Sequence, residues 1–182
     1  ILASGSVGTE KGGNPVPLAV TISKLSLGTH TIKLQVSDGI NPPAWDSFAV
    51  TIIDTTPPRL SPVANQTLLW PLDHRMVRVL IQANISDNSG LPVRLSAFVS
   101  SNEPETGLGD WDIGPDWNVV AIDPVQGTIA LDLRSERSER GSGRKYTVLI
   151  TATDQAGNVA TANTQILVPL DYLNPNNPPQ PS

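Results

Sequence analysis

Apolar and polar residues alternate most regularly over 144–169. Tyr146, Val148, Ile150 and Ala152 interleave with Thr147, Leu149, Thr151 and Thr153. The run stops at Asp154-Gln155-Ala156-Gly157-Asn158, and Ala160, Ala162, Thr164, Ile166 and Val168 return on the same period. Successive side chains of a strand point to opposite faces, so this pattern around an Asp/Gly/Asn turn predicts a half-buried antiparallel hairpin. The same pattern is written once before, over 30–54. Ile32, Leu34 and Val36 alternate with Thr31, Lys33 and Gln35, Asp38-Gly39 turns the chain, and Phe48, Val50 and Ile52 come back. Aligning Asp38 with Asp154 pairs Thr31 with Thr147, Ile32 with Val148 and Leu34 with Ile150. One hairpin cannot bury its apolar face alone, so each copy is expected to close a separate sandwich.

The rest of the chain reads as further strands and turns. Leu18, Val20 and Ile22 alternate with Ala19, Thr21 and Ser23, which predicts a strand over 18–25. Segment 60–69, interrupted by Pro62, predicts a loose edge strand. Val77, Val79, Ile81, Ala83 and Ile85 predict a long strand over 76–86, followed by the turn Asp87-Asn88-Ser89-Gly90. Strands are expected at 93–100, 117–122 and 128–133, with a long loop at 102–116 and a polar one at 135–143. No window carries helical spacing. Seven strands at this spacing predict an immunoglobulin-like sandwich over 59–169. Pro57 and Pro58 remove two backbone donors, so 55–58 is expected to be a short, stiff connector. The Gly/Ser/Pro-rich 1–17 reads as loop, and the Pro/Asn-rich 170–182 as a linker or tail. The expected fold class is therefore all-β, with tandem immunoglobulin-like β-sandwiches of which the first, over 1–54, is incomplete. Its three strands would leave Val20, Ile22, Ile32, Leu34, Val36, Val50 and Ile52 on an open face. Residues upstream of Ile1, or a strand from another chain, are expected to cover it.

Composition narrows the function classes. Seventeen Pro and fourteen Gly suit short strands joined by turns. Seventeen acidic residues against twelve basic ones, a net charge of −5, oppose a nucleic-acid interface, which needs a clustered positive face. No apolar stretch approaches the roughly 20 residues of a membrane span, so membrane insertion is not expected. The absence of Cys removes disulfides, thiolate catalysis and Cys-based zinc sites together. A cysteine-free sandwich rich in Thr, Asp, Asn and Pro reads as a bacterial extracellular or cell-surface module. The chain opens at Ile1 rather than Met, which reads as a fragment or a processed product.

Two resemblances sharpen this picture. The run LSLGTHTIKLQVSDG at 25–39 with DSFAVTIID at 46–54 makes 18–54 resemble the C-terminal half of a PKD-type domain, although that family's Trp and Gly-Asp-Gly segment is missing. DTTPP at 54–58, SDNSG at 86–90, SNEP at 101–104, GLGDWDIGPDW at 107–117 and GSGRKYTVLITATDQAGN at 141–158 make 59–169 resemble a family of bacterial Ig-like repeats. That resemblance implies spacers, adhesin stalks or accessory modules beside enzyme domains.

Candidate chemistry is sparse. His30 and His74 are the only histidines; the first takes the place of Tyr146 in the repeat, which suggests packing, and the second falls in the loop 71–75. No Gly-x-Ser-x-Gly, His-Glu-x-x-His or phosphate loop is present, so no catalytic residues and no enzyme activity are expected. Calcium takes six to eight oxygens. The Gly-containing loop at 110–116 could supply some of them from Asp110, Asp112 and Asp116, but it lacks an EF-hand's Gly position and final Glu. The alternative is a solvated acidic loop with Trp111 and Trp117 on the sandwich edge. In an immunoglobulin-like topology Asp54, Asp87 and Asp154 would share one pole, a layout similar to the calcium junctions of cadherin-type repeats. Asp is also the ordinary turn former at all three places. Arg134, Arg137, Arg140 and Arg144, interleaved with Glu136 and Glu139, read as exposed ion pairs. Asn65-Gln66-Thr67 and Asn84-Ile85-Ser86 match the glycosylation pattern. Trp45, Trp70, Trp111 and Trp117 are expected to plug sandwich ends. The expected function is a non-catalytic structural or adhesive module, meeting neighbouring domains of its own polypeptide, neighbouring subunits, a glycan or a surface protein. The alternative is an accessory carbohydrate-binding module of a secreted hydrolase, with Trp111 and Trp117 against sugar.

Overall fold

The computed structural model describes residues 19, 21, 25–107, 112–139 and 141–170, and its chain divides into two units, Ile1–Asp54 and Thr55–Ser182. Most of the strand predicted at 18–25, with Val20 and Ile22, lies outside the described residues, as do 1–17 and the tail beyond 170. Every regular element among the described residues is a β-strand.

The first unit is a hairpin of β1 (Gly28–Val36) and β2 (Ala44–Ile52), antiparallel, with Ile32 opposite Phe48 and Val36 opposite Ala44. Its turn is built on Asp38. Oδ1 accepts the backbone N–H groups of Ile40 and Asn41 at 2.9 and 2.8 Å, and Oδ2 accepts the Asn41 amide at 2.6 Å. These donors, the Asn41 backbone first, hold the Asp38 carboxyl down to about 2. Leu34, Val36, Trp45 and Phe48 are exposed. Ile32, Val50 and Ile52 are half-buried.

The second unit is a β-sandwich. Four strands, β3 (Val63–Ala64), β4 (Met76–Gln82), β7 (Thr128–Arg134) and β6 (Trp117–Asp123), form one antiparallel sheet in that spatial order. The second sheet orders β5 (Arg94–Ser101), β8 (Arg144–Thr153) and β9 (Val159–Val168). Alternation sends one face of each sheet inward. Val79 and Ile81 of β4, with Ile129, Leu131 and Leu133 of β7, meet Tyr146, Val148 and Ile150 of β8 and Ile166 and Val168 of β9 in one core. Each such side chain contributes about 1.5–3 kcal/mol by leaving water. Leu149, one place out of phase, is 41% exposed while Ile150 is fully buried.

Two strands differ from their sequence patterns. The run predicted over 76–86 ends at Gln82, because Asn84 takes a positive φ of 48°. Asn tolerates that left-handed backbone better than most residues. The chain still pairs beyond the break, through reciprocal bonds between Arg59 and Ser86. The edge strand expected over 60–69 is divided between the sheets. Val63–Ala64 pairs with β4, and Leu68 and Leu69 then cross to β9, where the Leu69 N–H donates to Leu167 O at 2.8 Å. Asn65 fills a ladder place with its side chain, Oδ1 accepting the Leu80 N–H at 2.8 Å. Pro58, placed in the connector by sequence, is buried.

Candidate functional site

Antiparallel pairing brings five segments of the second unit to one pole. These are the loop at 71–75 before β4, the residues 102–107 after β5, 112–116 before β6, 135–139 with 141–143 between β7 and β8, and 169–170 after β9. Arg144 opens β8 on the inward parity of Tyr146 and Val148 and is fully buried. Its guanidinium pairs through Nη1 with Asp116 Oδ2, donates from Nη1 to the Tyr146 hydroxyl at 3.2 Å, from Nη2 to Pro104 O at 2.9 Å, and from Nε to Glu103 Oε2 at 3.4 Å. It also stands 5.7 Å from the centroid of the Tyr146 ring. Burial works against the Arg144 charge, but Tyr146 and Asp116 more than offset it and hold its pKa above the usual guanidinium value.

The opposite sheet supplies the remaining groups. Arg134, at the end of β7, donates to His74 O at 2.7 Å and to Pro115 O at 2.9 Å, and its Nε lies 3.4 Å from Asp116 Oδ1. Ser135 continues the inward parity of Leu131 and Leu133, and its hydroxyl donates to Pro71 O at 2.6 Å. Glu136, 3% exposed, faces His74, whose Nδ1 stands 2.9 Å from Oε2. Burial pushes the Glu136 carboxyl above its usual range; His74 works against that, and the adjoining Asp112 carboxyl adds to it. Gly143 has a φ of +99°, and a Cβ there would stand 2.9 Å from Val168 O, so glycine is what lets β8 start against the end of β9.

The run of arginines is therefore corrected. Arg144 and Glu136 are buried and Arg134 largely so, and Arg137 bonds Pro169 O and Leu170 O, where exposed ion pairs were expected. Alternating sign hid the inward parity of Arg144. Arg140 lies outside the described residues.

Of the predicted calcium ligands, Asp110 lies outside the described residues, Asp112 is half-buried and Asp116 is fully buried rather than part of a solvated loop. Asp112 and Asp116 gather instead with Glu136, one carboxylate oxygen of each lying within 4.8 Å of the others. In the other predicted set, Asp54 is half-buried and closes the first unit. Asp87 and Asp154 of the second unit place carboxylate oxygens within 4.8 Å of each other. Each also forms its turn: Asp87 Oδ1 accepts the Ser89 N–H at 2.9 Å, and Asp154 Oδ1 accepts the Asn158 N–H at 2.8 Å. Trp117 packs edge-on against Tyr146, with ring centroids 6.2 Å apart, but Trp45 and Trp70 are exposed rather than plugged into sandwich ends. Trp111 lies outside the described residues.

Tyr146 yields a pH prediction. Its hydroxyl donates to Arg134 O at 2.8 Å, and burial pushes its pKa up to about 12, with Arg144 pulling the other way. The unfolded phenol ionises near 10, so between pH 10 and 12 the unfolded chain has lost a proton that the folded one keeps. Stability gained from this group is whole below pH 10 and lost as pH rises towards 12. Each pH unit between the two values is worth about 1.4 kcal/mol, so the loss is about 2–3 kcal/mol. Urea denaturation at pH 9 and 11 should show about half of it, and Tyr146→Phe should flatten the slope while costing about 1 kcal/mol at pH 9.

No protein-family model matches the chain, and no curated protein matches it.

Proposed function

We propose that the chain is a non-catalytic structural or adhesive module, a spacer, stalk or fibre component of a bacterial extracellular or cell-surface protein. The observation that carries this reading is the strand order β3-β4-β7-β6 facing β5-β8-β9. A constant-type immunoglobulin domain arranges seven strands as A-B-E-D against C-F-G. Lettered in chain order, β3 to β9 give the same two sheets, which supports an immunoglobulin-like sandwich. The pole adds support. Its guanidiniums hold backbone carbonyls of His74, Pro104, Pro115, Pro169 and Leu170, as suits a part that must hold its ends. Its partners in this reading are neighbouring domains of the same polypeptide or neighbouring subunits.

Pulling the full chain between flanking marker domains tests the proposal. The second unit should open in one step, releasing about 35–40 nm of contour, and close again on relaxation. Gradual extension without a step would overturn the stalk role. Binding on a glycan array that Trp70→Ala abolishes would instead establish the carbohydrate-binding alternative. Hydrolytic turnover lost in His74→Ala would overturn the non-catalytic reading altogether.

A further inference from the structure

We infer that Asp112, Asp116 and Glu136 form a binding site for one divalent cation of the calcium class at the pole of the second unit. The three carboxylates come from two separate segments, the loop before β6 and the residues after β7, and the fold brings one oxygen of each within 4.8 Å of the others. Proximity alone would be an ordinary acidic patch. What distinguishes this group is burial combined with an unused valence. Asp116 is fully buried and Glu136 is 3% exposed. Asp116 commits Oδ2 to Arg144, and Glu136 commits Oε2 to His74. Glu136 Oε1 and Asp116 Oδ1 are buried and accept no hydrogen bond from the described residues; the Arg134 Nε that lies 3.4 Å from Asp116 Oδ1 lacks hydrogen-bond geometry. A buried carboxylate oxygen left without a donor costs more than most polar atoms, because it has given up its water.

Local charge points the same way: the three clustered carboxylates and Glu103 face the guanidiniums of Arg134 and Arg144, and Arg137 turns instead to Pro169 O and Leu170 O, so acid outnumbers base around the group. Carboxylate oxygens this close repel one another, and a cation between them relieves that repulsion.

The donor set selects the ion. All three ligands are hard oxygens, and the nearby imidazole already turns Nδ1 to Glu136, so a zinc-type set of nitrogen and sulfur is not offered. Oxygens held about 2.3–2.6 Å from calcium can stand up to about 5 Å apart, whereas magnesium demands a tighter octahedron at about 2.0–2.1 Å. Water would complete the shell, since Asp112 is only half-buried and opens the group to solvent. Such an ion would fasten the 112–116 loop to the end of β7.

Thermal unfolding of the full chain, stripped with chelator and then titrated with calcium chloride alone, tests this. The midpoint should rise by about 5 °C or more at millimolar calcium and fall back with chelator. Calorimetric titration should give a calcium site that Glu136→Gln and Asp112→Asn each remove and Asp87→Asn leaves in place. Gln at 136 can still accept from His74 and can donate to Asp112, so its chelated midpoint should match or exceed that of the natural chain. Should that variant not fold, Asp112→Asn carries the test by itself. The site is overturned if calcium leaves the midpoint unmoved. It is equally overturned if the rise survives in Glu136→Gln or Asp112→Asn, or disappears only in Asp87→Asn.

Discussion

Replacing Arg144 with Ala should lower the stability of the second unit by about 3–5 kcal/mol, the range for breaking a buried ion pair from one side. The cost comes from what is left behind more than from the pair itself. Asp116 is fully buried and would be left with only Arg134 nearby, and the Glu103 side chain is 8% exposed. The Pro104 carbonyl and the Tyr146 ring would lose their partner as well. Arg144→Lys should recover little, because an ammonium cannot reach four acceptors in separate directions from one planar fork. The guanidinium chloride midpoint measures the effect. A loss below about 1 kcal/mol would mean that water enters the pole and replaces the guanidinium.

The second large effect lies in the core. Ile150→Ala should cost about 2–5 kcal/mol, for the lost transfer of its side chain and for a cavity that its small cross-strand neighbours Ala97 and Ala162 cannot fill. Its neighbour provides the control. Leu149→Ala, on the outer face opposite Phe98, should cost under about 1 kcal/mol. Equal losses at the two positions would contradict the assignment of inner and outer faces.

The two faces of β8 are legible in the amino-acid order alone, because a strand's period is fixed by its backbone and a slip of one residue would exchange every face. Alternation puts Tyr146, Val148, Ile150 and Ala152 on one face, and all four are buried. The pole is harder to read. Arg144 carries a usable signal, since it shares the parity of Tyr146 and Val148, but the neighbouring Glu136 and Glu139 make the whole run look like a solvated surface. Asp116 and Glu136 carry no local signal of being together. They meet because β6 begins where β7 ends, which is a matter of strand order and not of spacing along the chain. The 60–69 segment departs from its pattern for a related reason: alternation predicts that a strand exists, but not that it will leave one sheet for the other.

Strand order also sets a schedule. β6 with β7 and β8 with β9 join neighbours in the chain and can form as each hairpin is completed. β4 must wait for β7, with Met76 paired to Arg134, and β5 must wait for β8, with Arg94 paired to Thr153, separations of 58 and 59 residues. Ordering entropy is lost over those long loops before either sheet repays it, which places assembly in the slow, millisecond-to-second range of all-β domains. A chain released progressively from its N-terminus would therefore hold β4 and β5 with their apolar faces open. Neither sheet has its central pairing until β7 and β8 have followed, so most of the second unit must be present before any of its core can close.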